Sequence, residues 1–376
     1  MALQSSGPID ISDIQTELGS SSGSLRTLSA AAGKSTPDAM SEFYGYSNFT
    51  ASSNFAPILY TGNSSTQSIT TGFQPDLVWM KGRSNYYVHQ ATDSVRGVTK
   101  NLFPNYNLSE YTETNTVQSF NSNGFTLGSE ARINASGTTY VAWTWKAGNG
   151  TSTNTNGTVT STVSANQAAG FSISIFTAPT TNNIGFTVGH GLSQAPEVFI
   201  IKDRDLTGVG WHVYSSHLPS STSAYLQLNE SNGTATAPLW NSANPTSSII
   251  NLRSGWAMGA GNKCVVYSWH SVAGYSKFGT FTGNDSTQTI TTGFQPRWVM
   301  IKSLLGSSSG MADWHIYDSA RGFGTSSSYT TPYLKANKTD TEVNNNYVSV
   351  TSTGFTMNTY YQNLSGWGDF FYMAFA

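Results

Sequence analysis

YTGNSSTQSITTGFQPDLVWMK, residues 60–81, and FTGNDSTQTITTGFQPRWVMIK, residues 281–302, are one phrase written twice. A looser version, GLSQAPEVFIIK, occupies residues 191–202. Self-similarity of this kind decides an architecture before any single residue does. Each copy reads as a strand, a turn rich in Gly, Asn and Ser, and a second apolar strand ending in Lys. The runs at 77–80, 198–201 and 298–301 do not alternate polar with apolar, which predicts central strands buried on both faces. Pro75, Pro196 and Pro296 stand just before them, where a missing N–H is harmless. Lys81, Lys202 and Lys302 are expected to snorkel to a sheet edge.

Outward from this phrase the likeness continues. ATDSVRG (91–97) answers YDSARG (317–322) from the Asp onward, and WHVYSS (211–216) answers WHIYDS (314–319). SNGFTL (122–127) and STGFTM (352–357) have SGWAM (254–258) between them. Each copy closes on an aromatic strand: YVAWTW (140–145), CVVYSW (264–269) and FYMAFA (371–376). The spacing therefore predicts a mostly β chain. Three tandem antiparallel β-sandwich modules, jelly-roll-like, are expected at 51–147, 158–275 and 276–376, preceded by a short α-helical N-terminal segment over 1–50. GNGTSTNTNG (148–157) reads as a linker, and no comparable spacer separates the second and third copies.

Composition narrows the function. Only 10% of the 376 residues are charged, against about 25% in typical soluble proteins. The net charge of −2 argues against a nucleic-acid partner, which needs a basic face. No run approaches the ~18 apolar residues of a membrane span, so membrane insertion is not expected. A single Cys removes disulfide frameworks and Cys-rich metal sites.

The N-terminal segment carries the helical signals. Asp10 or Ser12 can cap a helix with Ile11, Ile14 and Leu18 on one face and Gly19 as its stop. Thr36-Pro37-Asp38 opens a second, with Met40, Phe43 and Tyr44 on one face, and a further turn is allowed over 25–32. Helices this short need a partner. The segment is read either as a cap on the first module or, preferentially, as a docking segment with Ile9, Ile14, Leu18, Met40, Phe43 and Tyr44 as anchors. It has neither the basic nor the apolar region of a secretory leader, which argues against Sec export.

Catalytic chemistry is not found. The six His residues are scattered, and His212 and His315 share a repeat position, which favours packing over catalysis. No metal-binding spacing occurs; a metal shared by His212 and His217 lacks a third ligand. Asp203 with Asp205, and Asp313 with Asp318, are the nearest approach to paired carboxylates. Asp93 and Asp318 instead read as turn caps braced by Arg96 and Arg321. Cys264 reads as a small core residue. No catalytic residue, metal or cofactor is assigned, and no enzyme activity is expected. Uncharged loops bearing aromatics suit contact with sugars, and Tyr86, Tyr87, Tyr106, Tyr329, Tyr360 and Tyr361 are the receptor-contact candidates.

Two sets of motifs carry a family resemblance. PIDISDIQTELG and SLRTLSAAAGKSTPDAMSEFYGYS resemble the N-terminal segment of many structural proteins of tailed bacteriophages. TGNxSTQ, TGFQPDLVWMK, DSVRG, SNGFTLG, YVAWTWKAG, TVSANQAAGFSI, GHGL and VAGYSKFG resemble β modules of tail-fibre-like proteins, notably from phages of marine bacteria and cyanobacteria. The resemblance spans nearly the whole chain. It implies a virion location and a tail-fibre or tail-tip protein joined to other phage virion proteins through its N-terminal segment. It also implies contact with a host-surface glycan or protein, and a homo-oligomer, with a trimer as the common form. A capsid decoration or tail-scaffold appendage without a receptor is the alternative, and a glycan depolymerase a weaker one.

Overall fold

The computed structural model describes residues 3–4, 6–44, 49–305, 312–324, 331–345, 347–358, 366 and 368–376. The chain divides into two compact units, 1–51 and 52–376. In the first, the Asp10 carboxylate accepts from the Asp13 N–H while Asp13 accepts from the Asp10 N–H. This reciprocal box starts the helix Ile11–Leu18, and Gly19, left-handed at φ 62°, ends it. The stretch read only as a further turn is a helix, Leu25–Ala31, capped by Ser24. The helix expected after Pro37 is a single 3-10 turn, Met40–Phe43. Ile14, Leu28 and Phe43 bury one another completely, with Leu18, Leu25 and Met40 packed around them.

The second unit is built from antiparallel sheets in one repeated order. In the first repeat the strands lie as Phe55–Thr61, Thr139–Trp145, Leu77–Gly82, Gln90–Asp93. In the second they lie as Phe171–Thr177, Lys263–Trp269, Val198–Asp203, His212–Ser215. In the third they lie as Ser276–Thr282, Asp369–Phe375, Trp298–Ser303, His315–Asp318. The apolar runs are thus interior strands, buried at every residue. A small sheet accompanies each large one, pairing Gln67–Thr70 with Gly124–Leu127, Gly185–Gly189 with Ile249–Arg253, and Gln288–Thr291 with Gly354–Met357. The first core joins Ile69, Phe125 and Leu127 of the small sheet to Val78, Met80 and Ala142 of the large one. The second and third repeats have their own such clusters.

The repeated phrase is explained atom by atom. Ser64 and Asp285 take φ of 55° and 59° at the turn. Asn63 and Asn284 accept there from the N–H of Ser65 and Ser286. Gln67 and Gln288 donate back to the carbonyls of Thr61 and Thr282, closing the turn. Gly124 and Gly354 are fixed by space: a Cβ would stand 1.9 and 2.0 Å from the carbonyl oxygens of Ile69 and Ile290.

Two expectations change. Lys81, Lys202 and Lys302 do not reach solvent; they are buried, and each amine donates to backbone carbonyls, Lys202 to Val209 at 2.7 Å and Lys302 to Ser231 at 3.1 Å. Their strands end inside the unit, so the lysine stem has no edge to climb. The stretch 148–157 holds a strand, Ser152–Asn154, which pairs with Ser161–Asn166 and extends the second sheet. The closing strand Asp369–Phe375 pairs as its counterparts do, despite its divergent sequence.

Candidate functional site

Two places concentrate side chains beyond the needs of a single sheet: the junctions where the repeats meet, and a cleft beside one of them. The junctions are built from positions the register makes equivalent. Leu77 pairs with Asp93, Val198 with Ser215 and Trp298 with Asp318. Counting back along the same strands puts His89, Trp211 and Trp314 in one position. The backbone N–H of each is received by an Asn side chain, from Asn105, Asn229 and Asn337 respectively. Each ring then donates to a neighbouring repeat: His89 Nε2 to the Lys335 carbonyl at 3.0 Å, Trp211 Nε1 to Phe103 at 2.9 Å, and Trp314 Nε1 to Gln227 at 2.9 Å. Backbone bonds repeat the pattern: Glu110 N–H to Arg204, Thr234 N–H to Leu304, and Glu342 N–H to Arg83. First meets second, second meets third and third meets first.

Two of the junctions are ionic. Between the first and second repeats, Arg96 pairs with Asp93 and with Glu110 at 3.0 Å, and Glu110 pairs with Arg204 at 2.8 Å. The Tyr267 hydroxyl donates to Asp93 at 2.6 Å. Between the third and first, Arg321 pairs with Asp318 at 2.6 Å, Arg83 grips Glu342 with two nitrogens, and Trp143 donates to Asp318 at 2.8 Å. Burial pushes the Glu110 carboxyl up, but Arg204 and Arg96 outweigh this and hold it below the usual range. At the second-to-third junction the equivalent positions carry Ser215, Leu218, Thr234, Leu304 and Met373. The whole charged set is replaced together.

The rings of Trp145, Trp269, Trp298 and Phe375 meet where the large sheets converge, with centroids of Trp145 and its three neighbours 5.8 to 6.3 Å apart. They leave an apolar cavity of about 30 Å³, lined from all three repeats. The surface that lines it is apolar, as in a packed core.

The cleft, about 310 Å³, lies at the first-to-second junction and is lined by Phe103, Tyr106, Leu108, Tyr111, Arg132 and Thr207, among others. Tyr106 is 42% exposed, Leu108 42% and Tyr111 45%. The Tyr106 carbonyl accepts from Trp211 Nε1 at 3.2 Å, which anchors the loop. Arg132 lies 5.4 Å from the Tyr111 ring centre and 5.6 Å from Phe103, and pairs with Glu130 at 2.6 Å.

The remaining candidates are scattered. Tyr86 is 72% exposed, whereas Tyr87 is half-buried and parallel to the Tyr140 ring at 6.5 Å. Tyr329, Tyr360 and Tyr361 lie outside the described residues. Of the docking anchors, Ile14 and Phe43 are fully buried in their own unit's core. Ile9, Leu18 and Met40 are partly buried there, and Tyr44 is 44% exposed. His212 and His315 are buried, and burial lowers each to about 4. His217 pairs with Glu197 at 3.0 Å. Asp203 caps the turn at Asp205 and Leu206, and Asp313 receives Asn337 and Lys335. Cys264 is buried. Among the described residues no group of three or more His, Cys, Asp or Glu is placed to hold a metal, and no helix is long and apolar enough to cross a membrane. Sequence reasoning gave no role at a site to Arg83, Arg204, Glu110 or Glu342. None of the four belongs to a repeated phrase.

No curated protein matches the chain, and no solved structure does. The family model described as a domain of unknown function, DUF7483, matches residues 50–376, and the chain belongs to that family.

Proposed function

We propose that this is a non-enzymatic structural protein of a tailed-phage virion, a tail-fibre or tail-tip component that contributes to host adsorption. On this reading the three repeats are tandem jelly-roll-like sandwich modules and residues 1–50 fasten them to other virion proteins. Partly exposed side chains of the first unit, Tyr44 above all, make that attachment. The charge-poor composition and the motif resemblance support the virion assignment.

The observation that carries a receptor role is the Tyr106 cleft. Three of the chain's exposed large apolar side chains line one concave place, which is where binding sites are expected. Its charges are already matched, Arg132 by Glu130 and Glu110 by Arg96 and Arg204. The ligand that suits it is an uncharged saccharide, with ring faces on Tyr106 and Tyr111 and hydroxyls toward Ser109 and Thr207. Each contact is weak, and copies on one particle add by avidity.

Two measurements test this. Electron microscopy of particles labelled with an antibody to this chain should place it on the tail; label on the head would replace the reading with a capsid decoration. Particles carrying Tyr106→Ala with Tyr111→Ala should assemble normally and adsorb at least ten-fold more slowly. Unchanged adsorption would remove the cleft from the receptor role.

A further inference from the structure

We infer that the seam between the first and last repeats is an acid-sensitive latch: protonation of the His89 imidazole opens the ring at that seam while the other two junctions hold. The inference stands apart from the virion reading.

The argument begins with a comparison internal to the molecule. The other two junctions use an indole N–H at this position, from Trp211 and Trp314, and an indole does not titrate. The closing seam alone uses an imidazole. Its tautomer is fixed: Trp79 Nε1 donates to His89 Nδ1 at 2.9 Å, so Nδ1 is the acceptor and Nε2 carries the hydrogen given to the Lys335 carbonyl. A second proton has to enter at Nδ1, where the Trp79 N–H already points. Two donors would then face each other inside a fully buried site.

Among the described residues, the groups around the ring disfavour that charge more than they favour it. The ring packs between Trp79 and Trp143, with centroids 5.7 and 6.2 Å away, and its backbone N–H is held by Asn105. The cations Lys81 and Arg321 both oppose protonation, and the backbone of Lys335 and Lys338 favours it less strongly than burial disfavours it. Asp318, which the neighbouring Trp143 indole donates to, is also engaged by Arg321, and across the seam Glu342 is engaged by Arg83. Lys335 is itself matched by Asp313 and Asp340. Burial, with Lys81 second, therefore holds His89 well below its ordinary value.

The sign follows from linkage. A base lowered in the closed form contributes its full stability above the free value of about 6.5 and loses it as pH falls below. Opening is the local relief because it exposes Nδ1 to water. It is also cheapest here: the partners His89 and Lys335 are 246 residues apart, whereas the chain itself runs from the first repeat to the second and from the second to the third.

His89→Gln is the decisive variant, since its amide oxygen can accept from Trp79 while its amide nitrogen donates to Lys335. Small-angle scattering and far-UV circular dichroism of the full chain should be followed from pH 7.5 to 4. The wild type should expand before its strand signal falls. His89→Gln should stay closed at least one pH unit lower, and His212→Gln should open with the wild type. Expansion of wild type and His89→Gln at one pH, or expansion only with loss of strand signal, would overturn the latch. Should His89→Gln not fold, amide protection in the wild type decides. On acidification the Glu342 N–H should lose protection first while those of Glu110 and Thr234 keep theirs; simultaneous loss at all three would equally overturn it.

Discussion

Asp93, Arg96 and Tyr267, buried, and Glu110 and Arg204, partly buried, form a polar set that lives or dies as a unit. Removing one member strands the others: a broken buried pair costs about 3–5 kcal/mol, whereas replacement by apolar residues of similar volume is often neutral. The second-to-third junction is that replacement, made within the same chain as Ser215, Leu218, Thr234, Leu304 and Met373. Arg96→Leu alone should therefore lower the unfolding free energy by about 3 kcal/mol or more. The fivefold variant Asp93→Ser, Arg96→Leu, Glu110→Thr, Arg204→Leu, Tyr267→Met should recover most of the loss. Denaturant titration of both measures it, and a fivefold variant less stable than Arg96→Leu would show that the set does not act as one. Half of this site was legible in sequence. Asp93-x-x-Arg96 and Asp318-x-x-Arg321 were readable as braced turns, and the turns are there, with Asp93 accepting from the Val95 and Arg96 N–H. What the turns face was not readable, because Glu110 and Glu342 arrive from loops that share no phrase. His89 was not readable for a related reason: no repeated phrase relates it to Trp211 and Trp314, and only strand register sets it at their position, with Gln90 in the place of His212.

At the scale of the strand, the terminal lysines show how far composition alone carries. A Lys after four apolar residues suggests a sheet edge, and the apolar run was read correctly as interior. The lysine was not, because the loops that bring Val209, Ser231 and Ala312 over it come from elsewhere in the chain. The amines are satisfied by carbonyls but remain desolvated, and burial lowers Lys81 and Lys202 to about 8 and Lys302 to about 7. Between these values and the ordinary 10.4 the unfolded chain binds more protons than the folded one, so stability rises with pH over that window. Unfolding free energies at pH 7 and pH 9 should show the rise. Lys302→Met, which removes the most strongly shifted amine, should reduce it; an unchanged slope would mean that Lys302 is already solvated in the folded state.

At the scale of the molecule, the three junctions explain one another. A set of three equal faces could join three chains or three repeats, and motif resemblance alone favours chains. The contacts favour repeats: each of the equivalent ring donors, His89, Trp211 and Trp314, finds its acceptor on the preceding repeat of the same chain, the first reaching back to the third, and each of the backbone donors, Glu110, Thr234 and Glu342, finds its acceptor on the following one. Among the described residues each junction face is met by another repeat of the same chain, and the aromatic rings of all three meet at the centre. The unequal chemistry of the junctions reinforces this. With two ionic seams and one apolar seam, a repeat placed in the wrong position would set Arg96 or Arg321 against Leu304 or Met373 and strand a buried charge, which costs more than the correct pairing gains. Specificity of order within one chain needs such a device; three identical chains do not. Residues 52–376, a compact unit in themselves, should therefore sediment as a monomer at micromolar concentration in analytical ultracentrifugation. A concentration-independent trimer would mean that faces other than these junctions drive assembly, and the self-contained ring would no longer account for the threefold pattern of contacts.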